Sequence, residues 1–156
     1  MLVPQREGAT LNHLATNFDG VAHELLYLGT QGANLLLIGV NSAGRERVEI
    51  GLGPLLGPVN RWEPGEQLVL PPASDTGTLI MHEVGSLTHD DQVRLLSWLE
   101  LSLGRTRVVC TTSASLYARV EAGLFIEALY YRLNTVSFNI ASNSGVRRTA
   151  MSLNNW

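Results

Sequence analysis

The sequence predicts an α/β domain: a parallel sheet with helices on both faces, built around a turn shaped like a phosphate-binding loop. Three observations carry this. The runs "ANLLLIGV" (33–40), "GTLIMHEV" (77–84) and "TRVVCTTS" (106–113) are apolar without alternation, as strands covered on both sides are. Segments of helical period lie between them, and strands alternating with helices demand crossover connections and a parallel sheet. The first run passes directly into a glycine-punctuated turn and then a helical stretch, the setting that a phosphate loop requires.

Taken in order, residues 10–29 place Leu11, Leu14, Phe18, Val21, Leu25 and Leu28 at steps of three and four, one face of a helix interrupted at Gly20. After the first strand, "AGRERVEIGLG" predicts a short helix halted by the Gly and Pro residues of "GLGPLLGPVN". The stretch "RWEPGEQLVLPPASDTG" reads as loop, with one short strand at 67–70. The second apolar run is followed by a helix with Thr88 as N-cap and Asp90 and Asp91 in its first turn, where the helix dipole favours acids. Val93, Leu96, Leu99 and Leu103 are its expected core face. Two short helical segments come after the third strand, the second spaced by Phe125, Leu129 and Leu133, and "TVSFNI" (135–140) is a further strand. Residues 141–156 show no period and read as a partly mobile tail, so the expected domain is 1–140.

Composition bounds the function. The 156 residues suffice for one domain with a real core. A net charge of -3 gives no electrostatic case for nucleic-acid binding. No apolar run reaches the ~20 residues of a membrane span, and the start lacks a signal peptide's apolar stretch. The single cysteine, Cys110, cannot form an internal disulfide and reads as a buried strand thiol. The default expectation is a reducing cytoplasm.

Three stretches, in order, carry a resemblance. "LLLIGVNSAGRERV" is similar to L-I-x-G-E-S-G-T-G-K-E-L-V. "GTLIMHEVGSLTHDDQVRLLSWLE" is similar to G-T-L-F-L-D-E-I-G-E-L and the helix after it. "RVVCTTSASLYARVEAGLFIEALYYRLNTVSF" is similar to a sensor strand followed by F-R-E-D-L-Y-Y-R-L-N-V. These are the phosphate loop, Walker B and sensor I segments of the AAA+ ATPase domain of sigma-54-dependent transcription activators. The resemblance covers about residues 8–140, including a short echo at "GAT" (8–10). It implies a P-loop NTPase-like fold, here the AAA+ α/β subdomain without its lid, in a regulator of transcription of the response-regulator kind.

Position by position, the resemblance marks Gly39, Asn41, Ser42, Ala43, Gly44, Arg45, Glu46, His82 and Ser113 as the nucleotide-binding set. Each carries a departure or a question. A phosphate loop works through backbone N–H groups and a helix N-terminus, with a lysine reaching the outer phosphates. The spacing from Gly39 to Gly44 is intact, but Ser42 and Ala43 stand where the family has Gly and Thr. If position 42 needs positive φ, a serine costs roughly 1–2 kcal/mol there. Arg45 replaces the lysine; it keeps the charge but is larger and planar. Glu46 matches the family's acidic residue and is no magnesium-binding hydroxyl. Either the turn is a glycine cap with Arg45 on the surface, or it retains some nucleotide binding.

The Walker B pair is His82 and Glu83, where the family has Asp and Glu. Imidazole is a poor magnesium ligand, which leaves Glu83 as a vestigial base with little to act on. A His82–His89 metal site lacks a third ligand, so no metal is expected. Ser113 has a shorter reach than the family's sensor Asn. The first arginine finger corresponds to Ile126. Arg132 keeps the second position, as a finger acting in trans on a neighbouring subunit or as a cap on its own helix. Only 37 positions separate Arg45 from His82, too few for the family's Gly-Ala-Phe-Thr-Gly-Ala loop that contacts the sigma factor. The chain also stops before a lid or helix-turn-helix.

The expectation is a regulatory or assembly module of a sigma-54-type regulator without ATP hydrolysis. Its partners are protein, either itself or a full-length regulator, with DNA reached only through domains absent here, and no membrane. ATP or ADP binds weakly if at all, and magnesium is not expected. Two alternatives stand: an active ATPase subunit, and a sensor of another anion in the old pocket.

Overall fold

The computed structural model describes residues 33–53, 57–139 and 147–149. The helix expected at 10–29 and the "GAT" echo lie outside the described residues. The elements are β1 (Leu35–Ile38), α1 (Ser42–Leu52), β2 (Val59–Trp62), β3 (Gly77–Met81), α2 (His89–Ser102), β4 (Thr106–Thr112), α3 (Leu116–Glu121), α4 (Glu127–Leu133), β5 (Val136–Asn139) and β6 (Arg147–Thr149).

The strands form one sheet in the order β2-β3-β4-β1-β5-β6. The first five are parallel, and β6 runs antiparallel to β5. The sheet thus continues past residue 140 into the segment read from sequence as a tail. The connection from β1 leads toward one edge and that from β4 toward the other, so the two neighbouring strands part company at their carboxyl ends. Open parallel sheets place ligand sites at such a switch point.

Side chains alternate between two cores, as the period of a strand requires. On one face Leu36, Leu79, Met81, Val108 and Cys110 meet Leu95, Trp98 and Leu99 of α2, Leu116 of α3, and Leu129, Tyr130 and Leu133 of α4. On the other, Leu35, Leu37, Ile80, Val109, Val136 and Phe138 lie with Leu52 of α1. The expected parallel sheet with helices on both faces is what the chain forms. Cys110 is a free, buried thiol, and burial pushes its pKa far above the usual value.

Three local expectations need correcting. The strand expected at 67–70 is extended chain outside the sheet, and the strand lies earlier, at β2. Leu68 is buried and Val69 exposed, which mimics strand alternation. The carbonyls here, however, serve side chains: Arg94 donates to Leu68 O at 3.1 Å and the Trp98 indole to Pro71 O at 2.7 Å. β2 is hard to see because Asn60 and Arg61, on an edge strand, face solvent. Second, β3 ends at Met81 instead of running to residue 84, so His82 and Glu83 sit just beyond it.

The third correction concerns α2. Thr88 is its N-cap, accepting from Asp91 N as expected, but the buried face is Gln92, Leu95, Trp98, Leu99 and Ser102. Val93 and Leu103 are exposed, and Leu96 is partly buried. Counting only aliphatic residues set the face one position off. The buried Gln92 amide belongs to the core because it satisfies backbone groups: Nε2 donates to Leu87 O and Leu124 O, and Oε1 accepts from Ile126 N.

Candidate functional site

The β1–α1 turn is shorter than its spacing suggests. Gly39 turns the chain at φ 85, and α1 already begins at Ser42. Ser42, Ala43 and Gly44 are therefore helical. The condition under which serine at 42 would be strained is not met, since Glu83 and Leu103 are the only non-glycine residues with positive φ among those described. Asn41 is the N-cap; its side-chain oxygen accepts from Gly44 N at 2.9 Å. The Gly44 N–H also lies 2.9 Å from Asn41 O, while Gly39 N and Val40 N both donate to Thr112 O. A Cβ at Gly44 would stand 3.3 Å from a Val40 methyl, a tight contact that a shift of a few tenths of an ångström would relieve.

Arg45 points along the outside of α1 to Glu63, just past β2, with Nη1 2.9 Å from Oε1. It is neither free on the surface nor deep in a cradle: its side chain is 22% exposed, and its buried Nε has no hydrogen-bond partner. One turn later on α1, Glu49 pairs with Arg61 of β2. The other Glu49 oxygen lies 3.5 Å from His82 Nε2, too long for a good hydrogen bond. Ser42, Arg45, Glu46, Glu49, Ile50, Arg61 and Glu63 line an open cleft of about 530 Å³ between α1 and β2.

His82 is 1% exposed. Its Nδ1 is 3.0 Å from Thr111 Oγ1 on the neighbouring β4. Burial holds its pKa below the usual 6.5, Glu49 opposes that shift, Arg45 adds to it and Glu63 opposes it. His89 is instead exposed at the start of α2. Among the described residues no three His, Cys, Asp or Glu side chains are grouped to hold a metal.

Glu83 adopts a left-handed conformation at φ 49, a strained backbone for a non-glycine residue. Each of its carboxylate oxygens accepts from the expected sensor position: Ser113 N donates to Oε1 at 2.5 Å and Ser113 Oγ to Oε2 at 3.1 Å. The two site residues are thus brought together, one strand apart. Arg132 is not part of this cluster. It ends α4 at the opposite end of the sheet, where its carbonyl accepts from Asn34 Nδ2 ahead of β1 and its guanidinium lies 3.8 Å from Glu100. β1, at ~3.3 Å per residue, separates it from the turn, so Arg132 is placed away from its own site. Ile126, at the first finger position, caps α4 and is held by Gln92.

Sequence reading missed Glu49, Arg61, Glu63 and Thr111. Arg45 and Glu49 are four apart on one helix face, a visible signal. Arg61 and Glu63 reach the cleft only through β2, which was misplaced, and Thr111 meets His82 only through the pairing of β3 with β4.

A family model described as the sigma-54 interaction domain matches residues 62–142. The DNA-binding transcriptional regulator NtrC of Rhizobium meliloti is 37% identical over 78 residues, covering 43% of this chain and 16% of that protein. Transcriptional regulatory protein ZraR of Escherichia coli is 36% identical over 80 residues, covering 44% and 18%. The chain thus spans less than a quarter of the length of such relatives. Among solved structures, NtrX from Brucella abortus in complex with ADP aligns at TM-score 0.61 and 17% identity over 89% of this chain and 41% of that one. The P-loop NTPase domain of the sigma-54 transport activator from E. coli aligns at TM-score 0.51 and 20% identity over 70% and 97%. These likenesses establish a shared fold. With more than half of the chain matched, from the last residue of β2 through β5, it belongs to the sigma-54 interaction domain family and carries the AAA+ α/β fold of sigma-54-dependent regulators.

Proposed function

We propose that this domain is a regulatory or assembly module of a sigma-54-type transcription regulator that does not hydrolyse ATP. The observation that carries the reading is the β1–α1 turn, where the N–H groups of Gly39, Val40 and Gly44 are all bonded to the chain's own oxygens. A phosphate loop binds by offering such donors to its ligand. Around it, Arg45 is held by Glu63, His82 puts an imidazole where magnesium needs oxygen, and both oxygens of Glu83 accept from Ser113. Any ATP or ADP would be held weakly, with magnesium recruited poorly.

On this reading the domain works by binding protein: another copy, or a full-length regulator whose other domains contact DNA. Arg132, away from its own turn, keeps the choice between a helix cap and a contribution to a neighbour. The working unit is residues 1–140 with the β6 strand added, in the cytoplasm. The test is magnesium-dependent phosphate release by the purified chain, alone and mixed with a full-length regulator of the family. Release at the blank rate is expected. Turnover that falls when Glu83→Gln is introduced would sink the reading in favour of an active ATPase.

A further inference from the structure

We propose that the cleft between α1 and β2 is an anion site occupied by the chain's own carboxylates, with Glu63 and Glu49 serving as tethered ligands for Arg45 and Arg61. The inference deepens the non-hydrolysing reading and rests on it. The pairing is reciprocal: an α1 arginine is held by a glutamate beyond β2, and a β2 arginine by a glutamate of α1. Each pair therefore ties the same two elements together from opposite sides. Two buried nitrogens beside these pairs, Arg45 Nε and His82 Nε2, have no hydrogen-bond partner. His82, 2% exposed at its side chain, aims that nitrogen at Glu49 on the cleft wall. Arg45 Nε has no acceptor and His82 Nε2 has only the long 3.5 Å contact to Glu49, so the two carboxylates leave polar nitrogens beside the cleft incompletely satisfied.

The charges say why the site stays closed to external anions. Its lining holds two arginines against three glutamates, Glu46, Glu49 and Glu63, so a polyphosphate meets a net negative wall. Glutamine at 49 and 63 reverses that balance and frees both guanidinium groups, whose forks suit phosphate oxygens. The tethered carboxylates also do locally what a bound phosphate does elsewhere, fastening the helix to the sheet without any ligand.

The test uses the full chain, its Glu49→Gln and Glu63→Gln variants and the double variant, with calorimetric titration of inorganic pyrophosphate and ATP at low and moderate salt. The native chain is expected to bind neither at millimolar concentration. The double variant should bind both at least roughly tenfold more tightly, with the gain shrinking as salt rises and vanishing when Arg45→Gln is added. Glu63 is half exposed, so Glu63→Gln alone keeps the fold and gives a partial gain if the double variant fails to fold. Equal binding by native and variant chains overturns the proposal, as does a variant set with no gain. Binding of ATP without pyrophosphate also overturns it, because the base and not the phosphates would then be recognised. Hydrolysis by the native chain would refute the reading beneath it, whereas a missing gain refutes only the tethered-ligand idea.

Discussion

Gln92 offers the sharpest test of how this domain is held together. Its buried amide makes three hydrogen bonds, to Leu87 O, Leu124 O and Ile126 N. They join the start of α2 to the loop that positions α4. Replacing it with alanine removes all three and leaves Leu87 O, Leu124 O and Ile126 N without these partners, the first of them buried. At about 1 kcal/mol per bond the cost is about 3 kcal/mol, and for a chain of this size each kcal/mol moves Tm by roughly 2–4 °C. A drop of roughly 6–12 °C follows. The control is Val93→Ala, one position along: Val93 is exposed, so its loss should cost under about 0.5 kcal/mol. Urea unfolding followed by circular dichroism gives both numbers from the shift in midpoint at constant slope. If Val93→Ala costs more than Gln92→Ala, α2 buries the aliphatic face and the orientation described above is wrong.

Gly77 sits at φ 142, and a Cβ there would come within 2.4 Å of Pro58 O; Gly77→Ala should cost roughly 2–4 kcal/mol through backbone strain and a displaced β2, read by the same unfolding assay. Asn41→Ala removes the cap on Gly44 and should cost about 1 kcal/mol, whereas Asn41→Gly should cost only a few tenths; equal losses would show that the side-chain oxygen is idle. Burial holds the His82 pKa below its ordinary 6.5, so the unfolded chain binds the proton more readily. The sign then follows: stability falls as pH drops through 6.5 and levels off below the folded-state value. His82→Asn should remove that part of the pH profile, and an unchanged profile would assign it to other groups.

How much was legible in advance differs by element. β1, β3 and β4 announce themselves because parallel strands buried on both faces need unbroken apolar runs. Thr88 and the spacing of Phe125, Leu129 and Leu133 marked a helix start and a buried face through local rules alone, and both hold here. β2 escaped because an edge strand can be polar, and α2 was turned one position because a buried glutamine counts as surface in any hydropathy reading. Arg45, His82, Glu83 and Ser113 could be picked out by motif position, but their partners could not.

The sequence by itself determined the three buried strands, the helices between them and the place of the turn, because periodicity and spacing are local properties; the family resemblance marked the altered polar positions. Tertiary structure decided what those positions do. Only the ordering of the strands brings Glu63 and Arg61 against α1, His82 against Thr111, and Glu83 against Ser113. Whether a loop N–H is free for a ligand or already bonded depends likewise on the carbonyl of Thr112, which lies far along the chain and one strand away in space.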